Sequence, residues 1–355
     1  MSKKYIRTFS LVTVAILLMC DVFVYLVDPF FHYHTPYFNL EPVIDDEINQ
    51  NPGMADYFEY DSIILGSSMT QNFTASSFDK VFPEGGKTIK LTYSAIRTGN
   101  MNWILSKAHA SRKVKNVYLG LDIDPFTDTY GNYYFPISEY LYDDNPFNDV
   151  KYVFNKEVIL RSLNCIKSNL NGSIPDPDEA YKWEATFSKE EALKSVYWNL
   201  TDWPDPVYNS EYIENAKKNF TNNVEPHIAN HPETQYYIFL PPYSVLWWNM
   251  KLANGTIDNI LEVDEYLISE LVKYDNVKLF GLQNMTDVTT NLENYKDYNH
   301  YSPAINDEIM HIMAGDKYLL TKDNYHEYLS DLKKTIYSFD YAALEKDMAS
   351  MQNDN

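Results

Sequence analysis

The chain has 355 residues, 45% of them hydrophobic and 22% charged, enough apolar material for a large folded domain and too much for disorder along most of its length. Its 50 acidic residues against 29 basic ones give a formal net charge of -21. That excludes nucleic acid as a partner, because phosphates must be met by clustered Lys and Arg, and it disfavours broad adsorption to anionic lipid. The two cysteines, Cys20 and Cys165, form neither a disulfide framework nor a zinc-type spacing, and no cofactor or metal is expected.

In chain order, residues 1–7 carry Lys3, Lys4 and Arg7, and residues 8–27 are almost wholly apolar. A run of about 20 such residues can cross a bilayer as a helix. Asp28, Asp45, Asp46 and Glu47 follow it, so the positive-inside bias predicts a cytoplasmic tail over 1–7 and an extracytoplasmic remainder. The apolar run is too long for a cleaved signal core, no small-residue cleavage site follows it, and Met19 precedes Cys20 where a lipoprotein signal has a small residue. An uncleaved, single-pass signal anchor in the cell membrane is expected. Asp21 is costly inside such a span; it belongs near the outer interface, or against another membrane helix. Residues 28–57, punctuated by Pro29, Pro36, Pro42 and Pro52, read as an extended connector, with His32 and His34 in a solvated juxtamembrane turn.

Beyond the connector, short apolar runs predict strands over 61–65, 87–93, 116–121, 235–240 and 276–280, with helices near 100–111, 210–230 and 258–273. Apolar runs of this length suit strands buried on both faces, and their alternation with helices predicts an α/β sheet covered on both sides. Residues 127–210, rich in Tyr, Asn, Asp and Pro, read as an insertion in a domain spanning 58–315. Its Trp183, Trp198 and Trp203 are candidates for lining a glycan groove. Residues 316–355 read as a polar helical tail.

Two stretches carry chemistry. Gly66-Ser67-Ser68 directly follows the first predicted strand. Ligands of parallel α/β sheets bind beyond the carboxyl ends of the strands, so a serine at that turn suits a nucleophile whose own N–H forms half an oxyanion hole. Asp297-Tyr298-Asn299-His300 follows the last predicted strand. There a His can take the serine proton while the Asp three residues earlier orients it.

This order and spacing resemble the SGNH (GDSL-like) hydrolase family, with Ser68, Asp297 and His300 as the catalytic residues. The resemblance implies a three-layer, flavodoxin-like parallel sheet. The family's second block implies an oxyanion N–H after the second strand, where Gly99 and the Ala95 backbone are both candidates. Its third block ends on an Asn that donates to the oxyanion; here Gly120-Leu121-Asp122 puts a carboxyl in that place. Either Asp122 is protonated in its pocket or it does another job. Arg97 could grip an acidic substrate or Asp122, or form a surface salt bridge. Trp247, beside Trp248 and beyond the fourth strand, could stack on a sugar or pack in the core.

The anchor, the Asp28-Pro29-Phe30 segment and the Gly-Ser-Ser motif are similar to the membrane-anchored branch of that family, whose members act in D-alanylation of teichoic acids and O-acetylation of alginate and peptidoglycan. By that likeness the chain is an extracytoplasmic O-acyltransferase. It would work with a membrane-bound O-acyltransferase and pass an acyl group from Ser68 to a cell-surface polysaccharide or teichoic acid. A carbohydrate esterase or deacetylase on the same triad, and a non-catalytic assembly subunit of an acylation complex, are the alternatives.

Overall fold

The computed structural model describes residues 3–131, 137–143 and 145–353. Six strands form one sheet: β1 (Ser62–Leu65), β2 (Thr88–Lys90), β3 (Asn116–Gly120), β4 (Gln235–Leu240), β5 (Val277–Gly281) and β6 (Leu319–Leu320). Their spatial order is β2-β1-β3-β4-β5-β6. The first five run parallel, with Ile63 of β1 opposite Ile89 on one side and Val117 on the other; β6 closes the far edge antiparallel to β5. Ile63, Ile64 and Leu65 are all fully buried. Successive strand residues point to opposite faces, so both faces are covered, as the unbroken apolar runs predict.

The covering helices fall into two packed sets. Thr98–Ser111, Glu211–Asn223 and Ile257–Leu271 pack in a row, while Ala75–Val81 packs against Pro303–Met313. The helix expected over 210–230 is broken in two, Glu211–Asn223 and Glu225–Asn230. Pro226 at the start of the second piece supplies no N–H to the first, and the break falls at Val224, whose φ of -123° is not helical.

The connector departs most from expectation. It contains a helix, Glu47–Tyr57, capped by Asp46 and carrying Pro52 in its interior. Proline leaves the carbonyl four residues back without a helical partner; here that carbonyl, of Ile48, accepts from the Tyr142 hydroxyl at 2.8 Å. The turn before it is ordered as well. The buried Asp28 carboxylate accepts from the backbone N–H groups of His32, Tyr33 and His34 and from the Tyr152 hydroxyl, at 2.7–3.0 Å. His32 faces Asp149 at 3.1 Å, and both ring nitrogens of His34 lie against backbone carbonyls of Tyr25 and Thr35. The expected solvated turn is therefore a packed one. The stretch 316–353 is mostly helical but not a free tail: it contains β6 and buries Leu332, Ile336, Tyr341 and Leu344 in the main core.

Helix Lys3–Val27 stands apart. Its 25 residues extend about 38 Å, and by length and composition it could cross a membrane. Only Val24 and Val27, at its carboxyl end, are buried; Asp21 is half-buried one turn before them.

Candidate active site

Ser68 sits where the strand order reverses between β1 and β3, the usual position for a ligand crevice in such sheets. The preceding turn is tight. Gly66 has φ +143°, and a Cβ on Gly66 or Gly120 would meet the Thr70 side chain at 2.7 or 2.5 Å. These two glycines let the short helix Ser68–Gln71 lie directly over the ends of β1 and β3. Ser67 caps that helix, its hydroxyl accepting from the Met69 N–H at 3.1 Å, which leaves the Ser68 hydroxyl free to project.

The second half of the site is drawn to the first through the same short helix. The Met69 carbonyl accepts from the Tyr301 hydroxyl at 2.9 Å and the Asn306 amide at 2.8 Å. A bridge between Tyr295 and Tyr301 closes the intervening loop. Within it, one Asp297 oxygen accepts from the backbone N–H groups of Asn299 and His300 at 2.8 and 2.7 Å, and the other meets His300 Nδ1 at 2.8 Å. His300 Nε2 then lies 2.8 Å from Ser68 Oγ. With Nδ1 donating to Asp297, the neutral imidazole keeps Nε2 as an acceptor for the serine proton. Burial alone would raise the Asp297 pKa. The His300 hydrogen bond and charge and the two backbone N–H groups outweigh it and hold the carboxyl below the usual range.

These groups open on a cleft of about 630 Å³ lined by Ser68, Ser94, Ala95, Trp183, Lys296 and His300, among others. Of the two oxyanion candidates after β2, the structure brings Ala95 to the cleft, with φ +48°. Gly99 is instead buried within helix Thr98–Ser111. The loop is pinned by Glu47, whose carboxylate accepts from the Ser94 N–H at 2.8 Å and from the Gln71 amide.

Asp122 lies beyond β3 beside this constellation. It is buried, accepts from the Tyr243 hydroxyl, and its Oδ2 has no hydrogen-bond partner. Burial pushes its pKa up against the pull of Ser67, Tyr243 and His300. Trp247 does not reach the cleft. It is buried and stacked on Tyr243 with ring centroids 4.2 Å apart, so it supports Asp122 from behind. Arg97 pairs with Asp128 at 2.6 Å.

Of the three insertion tryptophans, Trp183 alone lines the cleft. Its indole N–H donates to the Ser68 carbonyl at 3.2 Å, its ring stands edge-on to His300 at 5.4 Å, and Lys296 Nζ lies 3.9 Å over it. Trp198 bonds to Asn249 and Trp203 packs edge-on to Tyr341. Glu47 and Lys296 carry no sequence signal for the site: one comes from the connector, the other from the loop before Asp297. Among the described residues, no group of three His, Cys, Asp or Glu side chains is placed to hold a metal ion.

No family model and no curated protein matches the chain. Among solved structures, one from Streptococcus pneumonia, provisionally named a platelet activating factor, aligns with 80% of this chain and 91% of its own at 12% identity and a TM-score of 0.35. At that distance it says nothing of this chain's chemistry. What the structure itself establishes is an α/β protein with a six-stranded, mostly parallel sheet, a hydrogen-bonded Ser68–His300–Asp297 series at the sheet's switch point, and one apolar helix able to cross a membrane.

Proposed function

We propose that this protein is a membrane-anchored, extracytoplasmic serine O-acyltransferase that modifies a cell-surface polysaccharide or teichoic acid. The observation that supports it above all is the unbroken hydrogen-bonded series from Ser68 through His300 to Asp297, opening on an accessible cleft. In this reading Ser68 Oγ attacks the acyl carbonyl of a donor while His300 Nε2 takes the hydroxyl proton, and Asp297 steadies the imidazolium. Backbone N–H groups of Ser68 and Ala95 meet the oxyanion, and Asp122 in its neutral form can add a third donor. His300 returns the proton to the leaving group. A polymer hydroxyl then attacks the Ser68 ester, giving its proton to His300, which passes it to Ser68 Oγ as the ester bond breaks and the acylated polymer leaves. The anchor favours transfer over free hydrolysis: it would hold the cleft beside a membrane-bound O-acyltransferase that carries the acyl group across the bilayer.

Treating the full chain in detergent with a fluorophosphonate should label Ser68, with no label in Ser68→Ala or His300→Ala, and cells carrying Ser68→Ala should lose polymer acylation. An unlabelled protein together with unchanged acylation in Ser68→Ala cells would sink the proposal. Labelling accompanied by hydrolysis of acylated glycan, with no transfer to abundant acceptor, would assign an esterase. Asp122 gives the assembly-subunit reading its footing, since an ionised carboxylate opposes an oxyanion. Full complementation by Ser68→Ala and His300→Ala, but not by a chain lacking residues 1–30, would establish that reading.

A further inference from the structure

The insertion carries a surface that the catalytic reading does not use. Outside helix Lys3–Val27, the large exposed Val and Leu residues among those described are Val150, Leu160, Leu163, Leu170 and Val207; four of the five fall within 21 consecutive residues. Phe147, 88% exposed, and Phe154 belong to the same stretch. A folded domain surrounded only by water rarely gathers its exposed aliphatic side chains on one short stretch of chain.

Helical geometry explains the grouping. In helix Lys156–Asn171, Val158, Ser162 and Cys165 are buried on one side. Positions 156, 160, 163, 167 and 170 share the opposite side at 3.6 residues per turn, and all five are exposed. That side reads Lys, Leu, Leu, Lys, Leu. Long lysine stems lie along apolar surface while their ammonium groups reach outward, a pattern suited to a boundary between hydrocarbon and headgroups. The charge agrees. Residues 145–171 expose Lys151, Lys156 and Lys167 against Asp149 and Glu157, with Arg161 paired to Asp45, a locally basic surface in a chain of net charge -21.

Position decides the partner. The buried side of this helix and the short helix Val150–Val153 pack on the carboxyl end of Lys3–Val27: Val24 clusters with Tyr152, Val153 and Val158, and Val27 with Val43 and Cys165. The exposed leucines therefore lie on the outer side of a helix whose inner side is packed on the carboxyl end of the membrane helix, close to where that helix emerges. We infer that residues 147–170 lie in the bilayer interface, as a second and monotopic contact with a lipid surface containing anionic headgroups. This rests on the anchor reading of Lys3–Val27.

The contact also orients the site. A cavity of about 400 Å³ runs along the flank of this helix, from Leu160 to Cys165, and it shares Asp45, Asp46 and Arg161 with the Ser68 cleft. Seating the helix on the membrane turns that edge of the cleft toward the lipid plane, where a donor released by a membrane protein would arrive.

Depth can be read directly on the full chain in vesicles of phosphatidylcholine and phosphatidylglycerol. In a Cys20→Ala, Cys165→Ala background, a fluorophore at Leu163→Cys or Leu170→Cys should be quenched by lipid carrying a shallow nitroxide roughly threefold more than one at Lys218→Cys. A fluorophore at Leu17→Cys should instead be quenched by a deep nitroxide. Triple replacement Leu160→Ser, Leu163→Ser, Leu170→Ser, at exposed positions, should remove quenching of a Lys167→Cys label and leave that at Leu17 unchanged. If Leu17 is quenched while 163 and 170 behave like 218, the interfacial inference is overturned and the anchor stands. If Leu17 itself is not quenched, the anchor reading fails first. Unquenched labels at 163 that crosslink to a co-purified membrane protein would assign the face to a protein partner and overturn the lipid contact.

Discussion

A serine hydroxyl attacks a carbonyl only if something takes its proton and something receives the charge that appears on the oxygen. A candidate for the first need, the hydrogen-bonded series Ser68–His300–Asp297, was legible because its signals are local: a serine just past β1, and an Asp three residues before a His in the segment that follows β5. The second need was legible only as alternatives. Ala95 is set apart from Gly99 by a left-handed backbone, φ +48°, which no side chain announces, and Trp183 reaches the Ser68 carbonyl across 115 residues of sequence. Asp122 is the instructive case. Its carboxyl is buried with one oxygen held by Tyr243 and the other unpartnered, and burial pushes its pKa up. A neutral acid can donate to an oxyanion; an ionised one repels it. Asp122→Asn keeps an acceptor for Tyr243 and supplies a donor that no rise in pH removes. Fluorophosphonate labelling of Ser68 in the variant, compared at pH 6 and pH 9, should therefore gain on the parent's as pH rises and the parent's Asp122 loses its proton. Equal rates at both pH values would remove Asp122 from the oxyanion's surroundings.

Elements were legible in proportion to how local their signals are. The five parallel strands announce themselves as apolar runs, whereas β6 is only two residues long and exists because β5 offers it an edge. Helix Glu47–Tyr57 hides behind Pro52, since a proline normally ends a helix and only Tyr142, from the insertion, satisfies the carbonyl it orphans. Helix Ile257–Leu271 reads plainly from its periodicity, yet its buried face includes Asp264, fully enclosed with one oxygen at 3.4 Å from the Gln283 amide and the other unpartnered. Burial pushes this carboxyl up to about 7. A carboxyl whose folded pKa exceeds its unfolded value holds its proton more tightly in the fold. Its cost is therefore absent near pH 4, grows as pH rises toward 7, and is constant above. Asp264→Asn should raise unfolding free energy by about 1–3 kcal/mol at pH 8, with the gain vanishing near pH 4. Chemical denaturation at the two pH values checks it; a gain of equal size at both would mean that packing, not ionisation, sets the effect.

On the scale of the whole molecule, the two ends of the sheet hold different chemistry. The carboxyl ends carry the Ser68 cleft, and the opposite end is tied together by a cluster of imidazoles. His109, near the end of helix Thr98–Ser111, stacks on His231 with ring centroids 3.7 Å apart and bonds through Nε2 to the Tyr236 hydroxyl at 2.9 Å, which in turn donates to the His227 carbonyl. His227 bonds to Asn102 at 2.8 Å. Burial first, and neighbouring imidazoles second, push His109 down to about 3 and His227 to about 4. The cluster joins one helix to β4 without apolar contact alone, and it holds only while those rings are neutral. Because their folded pKa values lie below the unfolded one, their contribution is complete above about pH 6.5 and is lost as pH falls through the window toward 3. At pH 5 each ring should have cost roughly 1–2 kcal/mol of stability. That runs opposite to Asp264, whose burden lightens on acidification, so the two must be separated by mutation rather than by pH alone. In an Asp264→Asn background, unfolding free energy should fall steadily from pH 7.5 to pH 5, and His109→Gln with His227→Gln should flatten that slope even if the double variant starts from a lower value. A slope that survives both replacements would place the acid sensitivity elsewhere in the molecule.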